Sequence, residues 1–322
     1  YKSLDKSSST DFSTPVLTLT SGLTDNTSTT QHYAFTRDSS NGWTIYQNGV
    51  SQATATDSTS LGSNSVRDSS LDGTNNGATS VTGKINNALS FDGSNDYTTV
   101  GSASDWKFLH DGSTSWTITA HMKNVESGGD KHYFGTGEDP STGGGLKLGS
   151  NTAGNFRIYT LDSSANIAGI SYSSSSNFNP TDNTWRHYSF VYDKDAGTFK
   201  VYKDGVADTT TGSMSTFSSA TNGVPLTFGK NPSSVSGSGN TYHTELDIDE
   251  VGIFNSALTV AQIQSLSGGN TVSSLNDNSL VAYYNFEQTG TTLENQGTVT
   301  TTSLADKSTN TISIQNAGAY FG

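Results

Sequence analysis

One local pattern, present twice, constrains this chain more than any other. Trp185-Arg186-His187-Tyr188-Ser189-Phe190-Val191-Tyr192-Asp193 runs into the turn Lys194-Asp195-Ala196-Gly197 and then into Thr198-Phe199-Lys200-Val201-Tyr202-Lys203. Two aromatic and β-branched runs around a short polar turn ending in glycine spell a β-hairpin. A second turn, Asp204-Gly205, comes before Val206. Tyr188, Phe190 and Tyr192 are not alternated by charge, which is compatible with cover on both faces of the first strand. Residues 31–50 repeat the unit. His32 aligns with His187, Tyr33 with Tyr188, Phe35 with Phe190 and Asp38 with Asp193; then Gly42 aligns with Gly197, Tyr46 with Tyr202, Gly49 with Gly205 and Val50 with Val206. The spacing is too wide for a solenoid, so the copies mark duplicated modules.

Composition decides between disorder and a rigid all-β chain. Apolar residues make up 31% and charged residues 14% of the 322 positions, with Ser, Thr, Asn and 34 glycines filling the rest. Disordered chains are poor in aromatics, whereas this one is 10% aromatic, clustered in strand-like runs. The net charge of −13 leaves no basic patch for phosphates, which argues against nucleic acid. Without cysteine there is neither a disulfide framework nor a thiolate metal site. No apolar run reaches the ~18 residues of a membrane span. The sequence opens at Tyr1 with no signal segment, which reads as a processed or truncated chain.

Along the chain, strand patterns recur between turn residues. They fall at 16–20, 88–91, 97–100, 116–122, 131–135, 145–148, 156–161, 167–172, 226–229, 246–254 and 280–286, with weaker ones at 311–315 and 319–321. Residues 61–83 read as a Gly/Asn/Asp/Ser coil. Many short strands at such intervals predict a sandwich or barrel. One short helix is expected near 259–266, with Thr259 as N-cap, Leu258 and Ile263 as a staple, and Gly268-Gly269 as the stop.

Four motifs in order carry a resemblance. They are Ala88-Leu89-Ser90-Phe91-Asp92-Gly93-Ser94-Asn95-Asp96-Tyr97, Trp116-Thr117-Ile118-Thr119-Ala120, the stretch from Trp185-Arg186-His187 to Tyr202-Lys203-Asp204-Gly205, and Ile248-Asp249-Glu250-Val251-Gly252-Ile253-Phe254-Asn255-Ser256-Ala257-Leu258. Together they resemble laminin-G-like (pentraxin-type), concanavalin A-like modules. The resemblance implies an all-β fold, an antiparallel jelly-roll β-sandwich, often with bound calcium and with carbohydrate or protein ligands. It places one complete module over 62–268. The family's usual opening strand is missing ahead of Asp68-Ser69-Ser70, while Leu280-Val281-Ala282-Tyr283-Tyr284 has its character. Segments 1–61 and 277–322 therefore read as half-modules, combining into a second sandwich within the chain or with neighbouring chains, or cut from a longer repeat protein.

Three sets of residues are candidate sites. Glu245-Leu246-Asp247-Ile248-Asp249-Glu250 matches the bulged catalytic strand of laminarinase-type glycoside hydrolases, with Glu245, Asp247 and Glu250 in the catalytic positions. The next residues, from Val251 to Leu258, instead form the closing motif of the non-catalytic modules. Calcium takes ~6–8 oxygen ligands, which Asp/Asn-rich loops supply. Asp68, Asn76 and Asp249 are the first such set, by analogy with the resembling modules. Asp92, Asn95 and Asp96 are the second, although Asp and Asn commonly serve turns through their own backbone. The histidines 110, 121, 132, 187 and 243 show no zinc spacing. Trp106, Tyr133 and Tyr242 are aromatics for sugar stacking, against the commoner role of packing, and Asn26-Thr27-Ser28 is a glycosylation sequon.

The sequence thus points to a non-enzymatic adhesion or glycan-binding protein, extracellular or on a cell or virion surface, with a glycan or surface protein as partner. The alternatives are a structural subunit of a fibre, sheath or viral appendage that self-assembles through its terminal segments, and a glycoside hydrolase using the Glu245–Glu250 strand.

Overall fold

In a computed structural model of the chain, the described residues are 4–5, 15–17, 33–37, 42–56, 65–123, 131–137, 144–175, 178, 183–217, 223–232, 243–288 and 290–300. His32, Tyr242, the sequon at 26–28 and the strand patterns at 311–315 and 319–321 lie outside them. The fold divides into two compact units, Arg67–Val299 and a smaller one of Tyr1–Val66 with Thr300–Gly322.

In the smaller unit, Tyr33–Arg37, Gly42–Gln47 and Val50–Thr56 form a three-stranded antiparallel sheet in sequence order. Its second turn has Asn48 and Gly49 at φ 51° and 80°. The matching turn of the larger unit has Asp204 and Gly205 at 50° and 79°. Two consecutive positive-φ residues match the right-handed twist of a hairpin, and Asn-Gly and Asp-Gly reach that geometry most readily. The sequence repeat is therefore also a backbone repeat.

The larger unit is a sandwich of two antiparallel sheets. One has nine strands, in the order Ser213–Met214, Ile167–Ser173, Phe156–Leu161, Gly145–Ser150, Lys131–Gly135, Leu226–Phe228, Tyr97–Val100, Gly73–Asn76 and Thr292–Leu293. The other has eight. Its path runs Val206–Ala207, Thr198–Lys203, Arg186–Asp193, Trp116–Lys123, Glu245–Phe254, Asn87–Asp92 and Thr79–Thr82, and Leu280–Tyr284 adds to Glu245–Phe254.

Period-two alternation builds the core. Trp116, Ile118, Ala120 and Met122 are all fully buried in it, with Tyr188, Phe190, Leu246 and Ile248 from neighbouring strands. From the nine-stranded sheet come Phe134, Leu146, Leu148, Phe156, Ile158 and Phe228. Phe156 meets Tyr133, Tyr188 and Phe190 edge-on at 5.7, 5.0 and 5.6 Å between ring centroids, the geometry that aromatic quadrupoles favour.

The far face of the eight-stranded sheet is covered too. Helix Val260–Ser267 is capped by Thr259, whose hydroxyl accepts from the Gln262 N–H while the Gln262 side chain accepts from the Thr259 N–H. Ile263 and Leu266 are buried in a second cluster with Val191, Tyr202, Phe254, Val272 and Tyr283. This explains why Arg186–Asp193 shows no polar face: its six central residues are all buried.

The expected coil over 61–83 is a correction. It holds a short 3-10 turn at Ser69–Leu71 and the strands Gly73–Asn76 and Thr79–Thr82. Leu280–Tyr284 is likewise integral to the larger unit, with Tyr284 opposite Val251 and Ala282 opposite Ile253.

Candidate functional site

The acidic run lies on the longest strand, Glu245–Phe254, and its neighbours divide it in two. Trp116–Lys123 tracks one flank throughout, while the other is shared by Asn87–Asp92 beside 245–248 and Leu280–Tyr284 beside 251–254. The register shifts between Thr119 and His121, and Glu250 takes a left-handed φ of 53°. An extra residue at the join is a β-bulge. It turns Glu250 under the helix-side cover, 3% exposed. There the Tyr283 hydroxyl donates to both of its oxygens and the Val272 N–H to one. Burial raises the Glu250 pKa despite these bonds. Glu245, by contrast, is exposed at the start of the strand, and Asp247 pairs with Lys123 at 3.4 Å. The catalytic positions thus have dissimilar surroundings.

Asp249 is fully buried and accepts from the Ile85 N–H at 2.9 Å. Burial, with the neighbouring Glu250, pushes its pKa up to about 7. Opposite it on the next strand stands His121, and opposite that His187, the two rings 5.0 Å apart. Thr119 links the group through His187 Nε2 at 2.7 Å and Ser189 Oγ at 3.1 Å. Burial lowers the pKa of His121 to about 4 and of His187 to about 3, so both are neutral at ordinary pH.

The residues of the first calcium set each have contacts of their own. Asp68 accepts from the N–H and hydroxyl of Ser70 and caps the 3-10 turn. Asn76 stands opposite Tyr97 in its strand, and Asp249 faces Ile85. The second set shares one turn, where Asp92 accepts from the Ser94 and Asn95 N–H groups and Asp96 from that of Asp92. These turn bonds, with that of Ser94 largest, lower the Asp92 pKa. Among the described residues no three His, Asp or Glu side chains are grouped to hold a metal.

The aromatics divide. Trp106 is fully buried, its Nε1 donating to the Val100 carbonyl at 2.7 Å, and Tyr133 is fully buried as well. Neither is offered to a ligand.

A row of mostly polar residues lies on the outer side of the other sheet. Cross-strand register places Thr74, Thr99, Thr227, Gly135, Lys147, Tyr159 and Ser171 in one row across seven strands. Their strand neighbours Val100, Leu226, Phe228, Phe134, Leu148 and Ile158 are in the core, so the row lies on the side away from it, where Thr74, Thr99, Tyr159 and Ser171 are accessible and Gly135, Lys147 and Thr227 are buried. A groove of about 220 Å³ opens along it, walled by Tyr97, Thr99, Pro225, Thr227, Lys230 and Pro232. Gly135 makes room for its rim, because a Cβ there would stand 3.1 Å from the Pro232 ring. Lys230 Nζ sits 4.4 Å from the centre of the Tyr97 ring, and the His243 ring packs 6.1 Å from it. Sequence reasoning did not single out this groove.

A family model described as the concanavalin A-like lectin/glucanases superfamily matches residues 91–264. No curated protein matches the sequence. Among solved structures, the binding domain of Paraclostridial Mosquitocidal Protein 1 is 16% identical with a TM-score of 0.45, covering 68% of this chain and 50% of that one. The botulinum neurotoxin serotype D binding domain is 14% identical with a TM-score of 0.44, over 66% of this chain and 48% of that one. Domain 4 of AbnA, an extracellular arabinanase from Geobacillus stearothermophilus, in complex with arabinotriose, is 19% identical with a TM-score of 0.42, over 60% of this chain and 82% of that one. The chain spans about half the length of the toxin binding domains it matches.

Proposed function

The chain belongs to the concanavalin A-like lectin/glucanase superfamily, and from that premise we propose that it is a non-enzymatic glycan-binding protein of a cell or virion surface, holding its ligand on the outer face of the nine-stranded sheet. The observation that carries this reading is the groove beside the Thr99–Thr227 row. Hydroxyl side chains give and accept hydrogen bonds with sugar hydroxyls, and Tyr97 and Pro225 supply the apolar wall that a pyranose ring packs against. The non-enzymatic part is supported by Glu250, whose buried carboxylate is bonded to Tyr283 and Val272 rather than facing an opening with Glu245. Glycoside hydrolysis needs two carboxyls flanking the scissile bond.

The test is a glycan array run together with an assay for new reducing ends. We expect binding that Tyr97→Ala weakens, with no release of reducing ends from the bound glycan. Release that is lost in Glu245→Gln would replace this reading with the hydrolase.

A further inference from the structure

Carboxylates are segregated between the two sheets, whereas basic residues occur in both, with Lys123, Arg186, Lys200 and Lys203 in the eight-stranded one. The nine-stranded sheet contains Lys131, Lys147 and Arg157 and not one Asp or Glu in any of its strands. The eight-stranded sheet carries Asp92, Asp193, Glu245, Asp247, Asp249 and Glu250. With 29 acidic residues against 16 basic in the chain, a sheet free of carboxylates stands out. Its outward side also presents cations held against aromatic rings. Lys230 is pinned over Tyr97 in the groove, and Arg157 lies 5.4 Å from the centre of the Tyr159 ring. Among the described residues neither Lys230 nor Arg157 makes an ion pair.

Resting on the glycan-binding reading, we propose that the ligand of this face is an acidic saccharide, whose carboxylate or sulfate groups are met by Lys230 in the groove and Arg157 farther along the sheet. An ammonium already ordered by a ring loses less side-chain entropy when it pairs, and pairing in a partly desolvated groove is stronger than on open surface. The Thr99 hydroxyl then addresses the sugar's neutral positions, while the Thr227 hydroxyl, buried at the groove floor, donates to the Pro225 carbonyl. The net charge of −13 disfavours binding by charge alone, so attraction is confined to acidic polymers whose sugar units also fit the groove.

Affinity electrophoresis of the full chain tests this, with polygalacturonate for carboxylate, dextran sulfate for sulfate, dextran as the neutral polymer and single-stranded DNA as the non-saccharide polyanion. We expect retardation by one or both acidic polysaccharides, weakened by added salt. Lys230→Ala should weaken it about tenfold or more and Arg157→Ala less, with unchanged melting temperatures. Equal retardation by dextran, or an unaffected Lys230→Ala variant, overturns the inference and leaves glycan binding standing. Retardation by DNA as strong as by the acidic polysaccharides also overturns it. Failure to bind any saccharide here and on the array overturns both.

Discussion

The Tyr283 hydroxyl donates to both carboxylate oxygens of Glu250, at 2.7 and 2.8 Å. The bond joins the bulge of the longest strand to the strand beside it. Tyr283→Phe removes the donor and leaves a buried carboxylate short of a partner. It should cost about 1–3 kcal/mol in chemical denaturation, with glycan binding unchanged. A variant as stable as the parent would show that the pair contributes nothing to holding Leu280–Tyr284 in place.

Tyr284 points the other way. It is fully buried in the main core, and its hydroxyl donates to the Leu71 carbonyl at 2.7 Å. Tyr284→Ala opens a cavity and should cost about 3–5 kcal/mol, whereas Tyr284→Phe loses only the hydrogen bond, about 1 kcal/mol. If Tyr284→Ala were silent in a denaturant melt, this strand would not be part of the core.

Acid should act through the buried histidines. Folding depresses the pKa of His121 to about 4 and of His187 to about 3, from an ordinary 6.5. The unfolded chain therefore binds two more protons than the folded one between about 4 and 6.5, and that stability is lost as pH falls through this window. Asp249 opposes them. Its pKa of about 7 against an ordinary 3.8 makes the folded chain bind the extra proton, so its contribution grows as pH falls from about 7. Glu250, whose pKa burial also raises, acts in the same sense as Asp249 and moderates the change; the two histidines, lowered to about 4 and 3, outweigh them, so the melting temperature should fall between pH 6.5 and 4. Asp249→Asn should steepen that fall, and replacing both histidines with Gln should abolish or reverse it. A flat profile in the parent chain would contradict this assignment.

How much of the molecule was legible in the sequence depends on how local each signal is. The twin hairpins announced themselves because Asn48-Gly49 and Asp204-Gly205 can hardly do anything else, and the helix because Thr259 caps it. Gly73 misled. It looks like coil, yet a Cβ there would stand 2.4 Å from the Thr99 carbonyl oxygen and from a Val100 methyl, so the glycine permits close strand pairing. The acidic run at 245–250 was visible, but the bulge at Glu250 and its cover by Tyr283 depend on a partner strand more than thirty residues away. The groove escaped notice because threonine and glycine carry no motif. Its one sequence signal, the missing carboxylates, spans nine strands that only the topology assigns to one sheet.

The central claim is that a glycan sits on the outer face of the nine-stranded sheet. A crystal structure of the chain with an oligosaccharide bound at saturating concentration tests it most directly. We predict sugar density in the groove between Tyr97 and Thr227, with an acidic group within hydrogen-bonding distance of Lys230. Sugar density beside Glu245 and Glu250, with the groove at Tyr97 empty, would contradict the account.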